Sequence, residues 1–213
     1  MKHVTIIIAS LILTAAPVGA ADVPSDETGF VPLFDGKSFD GWEGNLKAFR
    51  IEDAAVVGGS LKQEVPRNEY LCTKKQYRDF ELRLKFRVLG ADPNAGIQFR
   101  SERVPNSNEM VGFQADVGQQ YWGCLYDERR HKQLAGPGKE DQDKLAKKNE
   151  WNEYVIRCVG PRIDLWLNGH HTVSYTEADA TIPLEGVIGL QIHAGAPSES
   201  WYKDVRIKEL TTK

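Results

Sequence analysis

Four short runs of this 213-residue chain put amides, charges and an imidazole at every second position between apolar residues. They are Gly96-Ile97-Gln98-Phe99-Arg100, Gly112-Phe113-Gln114-Ala115-Asp116, Trp122 to Glu128, and Gly189-Leu190-Gln191-Ile192-His193. Side chains alternate faces along a strand, so Ile97, Phe99, Phe113, Ala115, Leu190 and Ile192 can turn inward. Gln98, Arg100, Gln114, Asp116, Gln191 and His193 then share the other face. A merely solvated face carries Lys, Glu, Thr and Ser, whereas planar bidentate groups beside titratable ones suit a polyhydroxylated ligand such as a carbohydrate. If Leu125 also turns inward, Trp122, Tyr126 and Glu128 join the polar set. Such an aromatic pair would let a pyranose ring stack its C–H face while Gln98, Gln114 and Gln191 bond its hydroxyls.

Each of these residues has a plainer reading. Arg100, beside Gln98, can hold a ketone or paired hydroxyls through its fixed fork, or it can form an ion pair with Asp116 across the sheet. His193 stands at a strand end that opens into Ala194-Gly195-Ala196-Pro197, a place for a general base or for a satisfied structural histidine. Asp116 and Glu128 are the carboxylates expected on the polar face, and Asp127, turned the opposite way, is their structural counterpart. Trp122 and Tyr126 become core residues if the register slips by one at Gly123. His193 with Asp116 or Glu128 also offers suitable donors for a divalent metal ion, although their spacing selects none. His170 and His171 flank a turn and read as surface, and His131 reads as a solvated or rim residue.

The elements that must position this face have a period of two. Phe80 to Val88 alternates five apolar residues with four charges, the pattern of a half-buried strand. Further strands are expected at Phe49 to Ile51, Ser60 to Gln63, Glu69 to Thr73, Tyr154 to Val159, Arg162 to Leu167, His171 to Tyr175 and Tyr202 to Leu210. Asn168-Gly169 is a two-residue hairpin signal, because both residues tolerate the positive φ of a type I′ turn. Only Lys139 to Lys148 has a helical composition, and it lacks an apolar stripe, so a loop or one short surface helix is expected there. Many short strands between Gly, Pro, Asn and Asp turns predict an all-β, antiparallel sandwich with few or no helices.

Residues 1–20 read as a secretory signal, with Lys2 and His3 before an apolar run and Val18-Gly19-Ala20 as the cleavage site. The expectation is an exported protein, periplasmic or extracellular, with residues 21–29 as a flexible leader and 30–213 as one domain. No later segment approaches the ~20 apolar residues of a membrane span. Loss of Lys2 with the signal takes the formal charge from -3 to -4, and no basic stripe exists to hold a polyanion, which argues against nucleic acid. Cys72, Cys124 and Cys158 have no zinc-type spacing; Cys158, in step with Tyr154 and Ile156, reads as a buried hydrophobe, and one disulfide is left open.

Phe30-Val31-Pro32-Leu33-Phe34-Asp35-Gly36-Lys37 through Asp40-Gly41-Trp42 resembles the opening of the bacterial 3-keto-disaccharide hydrolase domain, formerly DUF1080. The likeness continues through Asn94 to Arg100, Tyr121 to Glu128, Trp151-Asn152-Glu153-Tyr154, Trp166-Leu167-Asn168-Gly169 and Ile188 to His193. It implies a concanavalin A-like jelly roll whose concave face binds sugar, and an exported hydrolase or lyase acting on 3-keto-glycosides.

In such a substrate the C3 carbonyl acidifies C2–H, so the C1 substituent can leave by elimination before water is regained. His193 or Asp116 would be the base, Arg100 or a divalent ion would steady the enolate, and Glu128 would protonate the leaving group. The chain has no Glu-x-Asp-x-x-Glu run, the carboxylate pattern of glucanases with this fold, so an ordinary two-carboxylate glucanase has little support. A non-catalytic lectin-like module would use the same Gln, Arg and aromatic face without needing the titratable set. A structural coat protein would use neither.

Overall fold

The computed structural model describes residues 22–211; the expected secretory signal lies outside the described residues. In chain order the strands begin with β1 (Val31–Pro32), β2 (Trp42–Glu43), β3 (Phe49–Glu52), β4 (Ala55–Ser60) and β5 (Glu69–Thr73). The long central strands are β6 (Phe80–Gly90), β7 (Asn94–Arg103) and β8 (Met110–Gly118). After β9 (Leu125–Glu128) and β10 (Lys132–Ala135) comes the short helix α1 (Lys139–Leu145). The chain closes with β11 (Asn152–Val159), β12 (Arg162–Leu167), β13 (His170–Thr176), β14 (Val187–Ile192) and β15 (Ser198–Glu209).

Two sheets form. The first runs β13-β12-β11-β6-β15-β4-β3 with β1 added on β15, and the second runs β10-β9-β8-β7-β14-β5-β2. Every pairing between these strands is antiparallel. The β12–β13 hairpin turns on Asn168 (φ 51°) and Gly169 (φ 85°), as a type I′ turn requires. The strand expected at Ser60 to Gln63 ends at Ser60, where β4 stops. Among the described residues no helix is long and apolar enough to cross a membrane.

The alternation in β6 sends Phe80, Leu82, Leu84, Phe86 and Val88 into the space between the sheets. There they meet Ile97, Phe99, Phe113, Leu125 and Leu190 from the second sheet. Burying such side chains is worth about 1.5–3 kcal/mol each, which makes this the main stabilising layer. On the outer side of the first sheet, Arg87 lies between the rings of Trp151 (4.9 Å) and Trp201 (4.5 Å). Lys203 covers the Trp151 ring at 4.1 Å. Within the expected leader, Asp26 meets Lys208 Nζ at 2.5 Å and Glu27 contacts Arg83. The three cysteines are free and buried.

Two corrections follow from breaks in alternation. A bulge between Phe99 and Glu102 interrupts β7, and Arg100 sits in it at φ 47°. Its side chain is fully buried against Asp79 Oδ1 (3.0 Å), the Arg78 carbonyl (2.8 Å) and the Gly160 carbonyl (2.7 Å). Arg100 therefore neither shares a face with Gln98 nor pairs with Asp116. Trp122 lies before β9 in a turn that needs Gly123 at φ 77°, and it packs in the core with its ring 6.2 Å from Phe86. His171, expected at the surface, is half-buried with Nε2 3.0 Å from Asp164.

Arg100→Ala would break the buried bond from Arg100 to Asp79, and two carbonyls would lose a donor. The expected loss is about 3–5 kcal/mol of folding stability, read from denaturant midpoints. A loss under about 1 kcal/mol would contradict this structural role.

Candidate functional site

The outer face of the second sheet gathers the remaining polar residues through its register. Gln98 stands opposite Gln114, Gln114 opposite Tyr126, Gly96 opposite Asp116, and Gly112 opposite Glu128. On the other side Gln191 stands opposite Tyr70, and Gly189 stands between Cys72 and Gln98. His193 N–H reaches the Asn94 carbonyl at 3.4 Å, which continues the β14–β7 register and keeps His193 on the side of Gln191. Seven of the expected residues thus share one face: Gln98, Gln114, Gln191, Asp116, Tyr126, Glu128 and His193. Arg100 and Trp122 do not. Asp127 opposes core Phe113 and is bound by Arg130 Nε (2.7 Å) and His131 Nδ1 (2.8 Å), as suits a structural carboxylate.

The amides form a directed row. Ser101 Oγ donates to Gln98 Oε1 (2.6 Å), Gln98 Nε2 donates to Gln114 Oε1 (2.9 Å), and Gln114 in turn bonds the Asp116 carboxyl. The row lies flat because Gly96 has no side chain; a Cβ there would sit 2.3 Å from Gln114 Cδ. At the other end Gly112 makes room for Ser101, whose Oγ would be 2.3 Å from an added Cβ. Glycine inside a strand marks such close approaches.

Asp116 ends this row deep in the sheet. Burial raises its carboxyl well above the ordinary 3.8, with Glu128 adding to the rise, while the Val117 N–H (2.9 Å) and Gln114 work against it. Glu128 is half-buried; burial raises its carboxyl first, the charge of Glu109 raises it further, and His193 opposes both. His193 Nδ1 lies 2.7 Å from the Ala194 carbonyl. A carbonyl only accepts, so Nδ1 carries a proton and Nε2 is the ring nitrogen turned to other partners. Asn68 Oδ1 accepts the Ala194 N–H (2.9 Å) and steadies this strand end.

Several residues of this site were not foreseen from sequence. Tyr121 makes an edge contact with Tyr126 at 5.9 Å, so the aromatic pair is Tyr121 with Tyr126 and not Trp122 with Tyr126. Tyr70 receives a hydrogen bond from Gln191 Nε2 (2.8 Å). All five residues of β5 are buried, so Glu-Tyr-Leu-Cys-Thr carries no polar alternation to reveal which side Tyr70 takes. The detectable signal was the in-strand glycines, Gly96, Gly112 and Gly189, which mark where side chains lie across the sheet.

Two amide oxygens on this face, Asn94 Oδ1 and Gln191 Oε1, are buried and accept no hydrogen bond. Among the described residues no group of three or more His, Cys, Asp and Glu is placed to hold a metal ion. Asp116, one of the expected donors, is instead tied to Gln114 and a backbone N–H. A cleft of about 400 Å³ opens near Ile192; of its two carboxylates, Glu64 and Glu69, the second is held by Arg67 (2.8 Å) and Asn45 (2.9 Å). The outer face gathers an imidazole, a raised carboxyl and a floor of oriented amides.

Comparison with known proteins follows from this geometry. Residues 29–208 match the family described as the 3-keto-alpha-glucoside-1,2-lyase-like domain. A 3-keto-disaccharide hydrolase from Bacteroides thetaiotaomicron is 28% identical over 106 residues, which cover 46% of this chain and 36% of the relative. The matched region thus spans about a third of that protein's length. A glycosyl-hydrolase candidate from Parabacteroides distasonis superposes with a TM-score of 0.65 at 21% identity, covering 90% of this chain and 100% of that one. A Bacillus subtilis protein with a galectin-like fold gives a TM-score of 0.61 at 12% identity, covering 92% and 99%. These likenesses place the sandwich among jelly-roll folds.

Because burial lifts the folded Asp116 carboxyl, the native state binds this proton more tightly than the unfolded chain does. The stability it contributes is full below the ordinary value of 3.8 and is lost as pH rises through the raised folded value. Asp116→Asn stays neutral, so its melting temperature relative to the parent protein should climb as pH rises above the ordinary carboxylate value. A difference that stays flat with pH would show that the carboxyl is ionised in the native state.

Proposed function

The chain belongs to the 3-keto-alpha-glucoside-1,2-lyase-like domain family, and on that premise we propose that it cleaves 3-keto-glycosides at the outer face of the second sheet. The observation that carries this reading is that His193, Glu128 and Asp116 share the outer face of the second sheet with the amides Gln98, Gln114 and Gln191. The sugar lies on that floor, with Tyr121 and Tyr126 beside its C–H face. An exported site of action accords with the secretory reading of residues 1–20.

His193 is the base. Its Nε2 lone pair takes the C2 proton, and the electrons of that bond move to the C3 oxygen as an enolate. The enolate then collapses to a C1=C2 double bond and expels the C1 oxygen, which takes its proton from Glu128. Water adds back across the double bond, with oxygen to C1 and hydrogen to C2, so that elimination and hydration together amount to hydrolysis. Glu128 suits the acid role because its raised carboxyl keeps more of the protonated form near neutral pH than an ordinary glutamate. Asp116 acts by anchoring Gln114, which in turn orients Gln98. Arg100 has no part in the reaction, and no step runs through a metal ion.

Base and acid separate experimentally. In D₂O with a 3-keto-glucoside, His193→Ala should lose both C2 deuterium uptake and turnover by ~10²- to 10⁴-fold. Glu128→Gln should keep C2 uptake while release of the leaving group falls by a similar ~10²- to 10⁴-fold. Full activity in His193→Ala would place the base elsewhere. Sugar binding without any turnover in the parent protein would establish a lectin-like module instead.

A further inference from the structure

Arg100 is turned into the core, where Asp79 and two backbone carbonyls hold its guanidinium away from the C3 oxygen. We propose that Tyr70 steadies this oxygen: its phenolic hydrogen bonds the C3 oxygen of the bound ketone and holds the enolate as charge develops there. This assignment rests on the reaction proposed above and adds a catalytic residue to it.

The argument is one of donors and acceptors. Tyr70 lies beside Gln191 on the polar face and is 1% exposed. Gln191 Nε2 donates to the phenol oxygen at 2.8 Å, so that bond occupies an acceptor position and leaves the phenolic hydrogen unused. No other hydrogen bond engages the Tyr70 hydroxyl among the described residues, and Gln191 Oε1 is likewise buried without a partner. A buried pair with an unspent donor is costly unless a ligand completes it. The Gln191 amide could also be placed turned end for end. The phenol would then donate to Oε1 and Nε2 would be the free donor, so the donor is Tyr70 in the orientation that turns Nε2 to the phenol. A ketone oxygen is an acceptor only.

The electrostatics keep Tyr70 a donor. Burial first, then the charge of Glu128, raises its phenol above the ordinary 10.0, and Glu109 adds to the rise. Tyr70 and Glu128 share the polar face, on strands β5 and β9. A neutral donor is well suited to enolate formation, because its hydrogen bond strengthens as negative charge builds on the oxygen.

Tyr70→Phe removes only the hydroxyl. With a 3-keto-glucoside in D₂O, C2 deuterium uptake and kcat should both fall by ~10²- to 10³-fold, the loss typical of one oxyanion donor. Affinity for the unoxidised glucoside, which forms no enolate, should stay within about twofold, a result that general damage to the site would not produce. Uptake in Tyr70→Phe equal to that of the parent protein would overturn the assignment. If that variant does not fold, Gln191→Met is used: it keeps the phenol but loses its anchor, and C2 uptake should fall about tenfold with the melting curve little changed. Uptake unaffected by Gln191→Met would count against the pair. A parent protein that neither binds nor exchanges the 3-keto-glucoside would refute the proposed reaction itself. Exchange in the parent with no loss in Tyr70→Phe would refute only the role of Tyr70.

Discussion

Two phenols reach across the core and hold the backbone on which the candidate site is built. Tyr154 of β11 donates to the Asp116 carbonyl at 2.5 Å and accepts the Gly123 N–H at 2.9 Å. Tyr202 of β15 donates to the Gln191 carbonyl at 2.6 Å and lies 3.3 Å from the Gly96 carbonyl. Both tyrosines belong to the first sheet, and both are fully buried. A hydrogen bond made inside an apolar layer is strongly directional, and losing it strands a buried polar group. The spacing of the sheets is therefore coupled to the position of Asp116 and Gln191, and the turn at Gly123 that introduces β9 is tied to the same strut.

Once the strands are placed, the polar face is organised by what is missing from it. Gly96, Gly112 and Gly189 remove side chains where Gln114, Ser101 and Gln98 need room. Amides that would otherwise stand up into solvent can then lie across the sheet and bond one another in a row. Such a row is pre-oriented: its dipoles run from Ser101 toward the Asp116 carboxyl and need not reorganise when a sugar arrives. The cost is a buried carboxyl that favours its proton and two amide oxygens that lack donors. Natural proteins accept such costs where a ligand is to be received.

The division of labour between the faces follows from the same physics. On the first sheet, the outer tryptophans are capped by Arg87 and Lys203, so this aromatic surface is already covered. On the second sheet, the aromatic residues are Tyr121, Tyr126 and Tyr70, set among carboxylates and an imidazole. Aromatic content alone would not have told these faces apart; the groups packed on the rings do.

The sequence by itself determined the all-β character, the β12–β13 turn and the face shared by Gln98, Gln114, Asp116, Gln191 and His193. Alternation is a local property, and it survives wherever a strand is regular. Parity also assigned Tyr126 and Glu128 to that face once Leu125 was taken as core. Tertiary structure decided the rest. Arg100 left the face because a one-residue bulge reverses parity and Asp79 supplies a buried partner, and neither fact is written in the strand's own pattern. Trp122 went to the core because Gly123 adopts a left-handed turn before β9 begins. Tyr70 joined the site through β5, a strand buried on both sides, where no alternation exists and only pairing with β14 selects the face. Local periodicity can specify which way a side chain points along one regular strand, but which strands stand side by side, and where they bend, depends on contacts between residues far apart in the chain.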